Sequence, residues 1–123
     1  MQAMRGWSGD MTTLVINTGD VWLAALDPTV GSEVQKTRPC VVVSPMEMNA
    51  HLRTVIVVPM TTGSRPAGFR VPLSFQGKTG LMLLDQIRTL DKSRLVKKLG
   101  KVQKTTLSKA LHTLRDVFDP VDI

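Results

Sequence analysis

The stretch that decides the fold runs Gly19-Asp20-Val21-Trp22-Leu23-Ala24-Ala25-Leu26-Asp27-Pro28 and resumes at Thr37-Arg38-Pro39-Cys40-Val41-Val42-Val43-Ser44-Pro45. A turn signal at Thr18-Gly19-Asp20 opens the first half. Val21 to Leu26 is then an apolar run of strand length, closed by Asp27-Pro28. Cys40 to Val43 is a second such run, stopped by Ser44-Pro45. Continuous rather than alternating apolar runs describe strands buried on both faces. The polar, Gly-containing connection from Thr29 to Arg38 is longer than an ordinary hairpin loop, which makes it a candidate for function.

Working outward, Val55 to Val58 is a third apolar run, and Pro59 marks its end as an edge or a bulge. Thr61 to Pro66 reads as a loop. Phe69, Val71 and Leu73 alternate with Arg70 and Pro72, the pattern of a half-exposed strand. Gly80 to Leu84 is another apolar run, continuing through Asp85 into Gln86-Ile87-Arg88. Helical spacing is convincing once: Leu107, Ala110, Leu111, Leu114, Val117 and Phe118 recur on one face. Thr105 or Thr106 is positioned to cap that helix, and Asp119-Pro120 to end it. The fold class is therefore α+β but mainly β: five or six short strands bent into a small antiparallel sheet or barrel, with a C-terminal amphipathic helix. Residues 1–18 read as a weakly specified N-terminal extension, and residues 19–123 as a single domain.

The chain has 123 residues and a formal net charge of +6. Residues 86–109 concentrate eight Lys or Arg against one acid, Asp91. Such a balance favours RNA, DNA or an acidic protein as partner; a merely solvated basic face is the competing reading. The single cysteine excludes an internal disulfide and a Cys-based zinc site, and Cys40 reads as a core residue. His51 and His112 are far apart and read as surface residues, so neither a metal nor another cofactor is expected. No apolar run approaches the length of about 18 residues that a membrane span needs, and residues 1–18 lack a signal-peptide apolar region. The cytoplasm is the expected location.

Taken together, Gly19-Asp20-Val21-Trp22, Leu26-Asp27-Pro28-Thr29-Val30-Gly31-Ser32-Glu33, Thr37-Arg38-Pro39, Val57-Val58-Pro59-Met60-Thr61-Thr62 and Asp85-Gln86-Ile87-Arg88-Thr89 resemble, in order and spacing, the MazF/PemK/Kid family of RNA-cleaving toxins. The resemblance runs from Gly19 to the terminal helix, which matches only in pattern. It implies an SH3-like barrel, paired as a homodimer with an RNA groove across the interface. It also implies an acidic, MazE-like antitoxin whose flexible segment occupies that groove. The implied activity is sequence-specific, metal-independent and ribosome-independent cleavage of single-stranded mRNA.

RNA carries its own nucleophile, the 2′-OH. An enzyme has to align it, move protons and stabilise the extra negative charge. The family's catalytic arginine falls on Arg38, whose planar fork can hold two phosphate oxygens. The alternative is an ion pair with Glu33 or Asp85. The family's catalytic threonine falls on Thr61, with Thr62 beside it; a turn threonine is the competing reading. Glu33 is expected either to accept the 2′-OH proton or to fix Arg38. Some relatives use an aspartate at the position of Asp85 with an arginine two residues earlier and a histidine in the long loop. Here those positions hold Leu83 and Ser32, so the Arg38–Thr61 arrangement is the better fit. Ser32, Thr62, Asp85, Gln86 and Arg88 are expected to touch RNA; for Gln86 and Arg88 dimer packing is the alternative. Trp22 reads as core.

Two other functions compete. A CcdB-like gyrase poison would share the fold, but it docks through a tryptophan near the C-terminus. This chain ends Val121-Asp122-Ile123, and its tryptophans are Trp7 and Trp22. A non-catalytic RNA-binding module would keep the basic groove without needing Arg38 and Thr61 together.

Overall fold

The computed structural model describes residues 15–26 and 37–121. The long connection, with Ser32 and Glu33, lies outside the described residues. Among the described residues seven strands form one antiparallel system: β1 (Asp20–Ala25), β2 (Thr37–Val42), β3 (Thr54–Thr61), β4 (Arg70–Phe75), β5 (Lys78–Leu83), β6 (Arg88–Asp91) and β7 (Leu95–Lys101). Among the described residues two helices accompany them, α1 (Met46–His51) and α2 (Lys104–Val117). The strand order is β4-β5-β3-β2-β1-β7, with β6 paired to β3 off this path.

The sheet curls into a half-barrel. Register shifts in the β1–β7 pairing, between Val21 and Trp22 and again between Leu23 and Ala24, bend it. The β4–β5 turn then approaches the edge strand β7, where Gln76 Nε2 donates to the Leu99 carbonyl at 3.1 Å. Both faces of β1, β2 and β3 are covered, as their unbroken apolar runs required. One face gives Val21, Val41, Val58, Val71 and Met82, which pack with Ala110 and Leu114 of α2. The other gives Trp22, Cys40, Val42, Val55, Val57 and Leu90.

Several local expectations are corrected. Pro59 does not end its strand: β3 continues to Thr61. It faces Cys40 of β2, just past Val57, the last residue paired to β6, and just before Met60, the first paired to β5. The missing N–H thus falls where β3 exchanges one neighbour for another. Asp85, Gln86 and Arg88 do not share a strand. Asp85 and Gln86 lie in a 3-10 turn, Leu84–Gln86, and Arg88 opens β6. The C-terminal helix starts at Lys104 without a side-chain cap from Thr105 or Thr106. Its position is set instead by β7 running on to Lys101 and by Val102 N–H donating to the Gly19 carbonyl at 3.0 Å. Its buried stripe stops at Leu114, leaving Val117 and Phe118 exposed.

The short helix α1 has no periodic signature. It is held by a buried polar set: Ser44 Oγ donates to Asn49 Oδ1 and accepts from Ile56 N–H, while Asn49 Nδ2 donates to the Ser44 carbonyl. No described helix is long and apolar enough to cross a membrane.

Candidate active site

A groove of about 550 Å³ opens where the start of β2, the end of β3 and the β4–β5 hairpin converge, and Arg38, Thr61 and Thr62 all line it. The strand register explains the meeting. Cys40 pairs with Pro59 and Val41 with Val58. The same register carried two residues further sets Arg38 opposite Thr61, just where β3 turns away to pair with β5 through Thr61 and Leu81. Residues 23 positions apart in sequence are thereby brought to one groove by the antiparallel ladder.

Thr61 is half-buried, and its Oγ1 accepts from Gly63 N–H at 3.2 Å. That contact uses an acceptor site and leaves the hydroxyl hydrogen to be given to a ligand. Arg38 is half-buried on β2, and among the described residues no carboxylate pairs with it. Such a cation beside a hydroxyl donor is equipped to hold a phosphate and to stabilise added negative charge on it.

The other candidates are placed differently. The alternative in which Asp85 neutralises Arg38 does not hold, because Arg70 occupies that carboxylate. Arg70 Nε and Nη2 donate to the two Asp85 oxygens, each at 3.1 Å, and Arg70 Nη1 donates to the Arg65 carbonyl at 3.0 Å. The hydrogen-bonding Arg70 fork holds the Asp85 carboxyl below the usual carboxylate range, which makes it a poor proton acceptor near neutral pH. Gln86 is exposed in the same turn, and neither residue lines the groove. Arg88 is half-buried at the head of β6, opposite Val57. Cys40 is fully buried. Burial pushes its thiol up to about 12 despite the opposing charges of Arg88 and Arg38, so it is no nucleophile at neutral pH. Trp22 is core, as its apolar run implied.

Arg70 and Gly80 carry roles that the linear sequence did not disclose. Arg70 stands opposite Leu83 in the β4–β5 pairing and from there reaches the Asp85 carboxylate. Gly80 allows β5 to approach the end of β3, since a Cβ there would lie 2.6 Å from the Thr61 carbonyl oxygen. We predict that Gly80→Ala moves Thr61 and slows RNA cleavage by about tenfold or more, since misplacement by about 1 Å can cost about 100-fold. Overpacking should also lower stability by about 1–3 kcal/mol. Gly68→Ala is the control, because nothing lies within 4 Å of a Cβ at that position. Thermal melts and rates at saturating RNA check both; equal rates for the two variants would show that Gly80 does not position Thr61.

Residues 17–118 match the model of the family described as PemK-like, MazF-like toxin of type II toxin–antitoxin system. The chain belongs to this family. It is 42% identical over 106 residues to the endoribonuclease PemK of Escherichia coli, covering 81% of this chain and 80% of that protein. It is 40% identical over 91 residues to the endoribonuclease MazF of Staphylococcus epidermidis, covering 69% and 76%. Among solved structures it resembles the MazE–MazF complex from Deinococcus radiodurans, with a TM-score of 0.76, 26% identity, and coverage of 87% of this chain and 98% of that one. The PemK/MazF fold thus carries the Arg38–Thr61 groove, and the mainly β architecture with its C-terminal helix is the one the sequence implied.

Proposed function

We propose that this chain is the toxin of a type II toxin–antitoxin pair and an endoribonuclease that cuts single-stranded mRNA at specific sequences, without a metal and without the ribosome. The observation that carries this reading is the convergence of Arg38 and Thr61 in one groove, in a chain whose relatives bear the name endoribonuclease. The 2′-oxygen attacks the adjacent phosphorus and the 5′-oxygen leaves, giving a 2′,3′-cyclic phosphate and a 5′-OH. Arg38 holds the phosphate oxygens as charge builds, and the Thr61 hydroxyl donates to one of them. Glu33 is the sequence's candidate for accepting the 2′-OH proton.

The protein acts as a homodimer in the cytoplasm, where its mRNA substrate is. An acidic MazE-like segment competes for the groove, drawn by the basic stretch from Arg88 to Lys109. A gyrase poison is disfavoured because the relatives that this chain resembles along most of their length are named endoribonucleases.

The deciding experiment incubates the pure protein with single-stranded RNA in excess chelator. Cleavage is expected to persist, to leave 5′-OH ends and to be blocked by the cognate antitoxin. Loss of cutting in chelator, or 5′-phosphate ends, would refute the metal-free transesterification.

A further inference from the structure

We propose that the β4–β5 hairpin adds a nucleobase-specificity subsite to the groove: the Phe75 ring forms its floor and Lys78 its rim, and it holds the nucleotide next to the scissile phosphate. The proposal rests on the endoribonuclease reading above and goes beyond it by naming the side chains that choose a base.

Four observations carry it. First, the groove that contains Arg38 and Thr61 continues over an apolar surface of Leu73, Phe75 and Leu99, bordered by Gln76, Lys78 and Thr79. Charge stabilisation at phosphorus needs no such apolar floor, whereas a base does. Second, the spacing is right. Gly80 touches the Thr61 backbone, and Lys78, paired with Phe75, lies two residues before it on β5. At about 3.4 Å per residue that is roughly 7 Å, a span that one nucleotide covers.

Third, the platform is fixed before any ligand arrives. The Phe75 ring lies against β7 where Gly100 has no side chain: a Cβ there would stand 3.3 Å from the ring's Cζ. The adjoining Gln76 takes a left-handed conformation, φ 52°, and its Nε2 donates to the Leu99 carbonyl. The hairpin tip is thereby tied to the opposite edge of the half-barrel, and the Gln76 amide oxygen remains an acceptor for a base amino group. Fourth, Lys78 is exposed and, among the described residues, has no acidic partner. An aromatic face with a cation at its border is the arrangement that holds single-stranded nucleic acid, by stacking and by phosphate attraction.

The test sequences the cut ends from a randomised RNA pool treated with wild-type protein, Phe75→Leu, Gln76→Gly and Lys78→Met. Glycine accepts the left-handed conformation of residue 76, and Lys78→Met keeps the length of an exposed side chain, so both variants should fold even if Phe75→Leu does not. We expect Gln76→Gly to lower base preference by about fivefold at a single position beside the cut, the scale of one lost hydrogen bond to a base, and Phe75→Leu and Lys78→Met to raise KM, because stacking and phosphate attraction hold any base. The turnover number on the best substrate should change far less than KM. A cleavage motif unchanged in Gln76→Gly and Lys78→Met, with wild-type KM, would overturn the subsite and leave the catalytic reading standing. A wild-type protein that cuts no RNA would overturn both.

Discussion

Arg38→Ala is expected to slow RNA cleavage by about 10²–10⁴-fold while leaving the fold intact. At about 1.4 kcal/mol per tenfold, the loss corresponds to about 3–5 kcal/mol of transition-state stabilisation, the scale of removing one preorganised donor to a developing charge. The phosphorus bears additional negative charge when the 2′-oxygen has bonded and the 5′-oxygen has not yet left. Arg38 is a cation that lines the groove together with Thr61. Its backbone sits within the β1–β2 ladder, paired with Ala24, so the guanidinium is presented from a rigid strand. Arg38→Lys should recover part of the rate, because a point charge remains but the bidentate fork is lost. Thr61→Ala should follow Arg38→Ala in direction, and Thr61→Ser should restore activity by restoring the hydroxyl. Rates measured under single-turnover conditions, with circular dichroism as the folding control, decide the matter. Near-normal cleavage by a well-folded Arg38→Ala protein would sink the assignment.

The fold was legible where one physical signal dominated. Val21 to Leu26, Cys40 to Val43 and Val55 to Val58 read as strands because both faces of the strands they lie in are buried, and no polar periodicity competed. β7 was illegible because Leu95-Val96-Lys97-Lys98-Leu99-Gly100-Lys101 is an edge strand, whose lysines suit solvent and guard the edge. They read as charge, not as structure. At the site, Arg38 and Thr61 could be singled out as residue types beside strand ends, and by resemblance. Their meeting could not be read locally, because it depends on the register of β2 against β3. The Asp85 partner was illegible for the same reason: Arg70 reaches it across a ladder from 15 residues away in sequence. Gly80 carried no signal of its own, since its reason is the backbone of another strand.

A single 2′-deoxy substitution in the substrate, at the nucleotide 5′ of the cut, should abolish cleavage of that bond. The groove supplies a cation and a hydroxyl donor, and among its described lining residues no carboxylate or histidine stands ready to activate a threonine hydroxyl for attack; the buried, un-ionised Cys40 thiol is excluded. In the proposed mechanism the attacking oxygen comes from the RNA itself. Without it no cyclic phosphate can form, whatever stabilisation Arg38 offers. The same substitution at any other nucleotide should leave the rate near normal. Binding should also survive, because phosphate contacts do not involve the missing hydroxyl, so the deoxy-substituted RNA should act as a competitive inhibitor with a dissociation constant close to that of the substrate. Affinity and cleavage measured on the same pair of oligonucleotides separate the two contributions. Cutting of the deoxy substrate at the unchanged bond would require an activated water as nucleophile, and Arg38 and Thr61 would then have to be reassigned to holding a phosphate that water attacks.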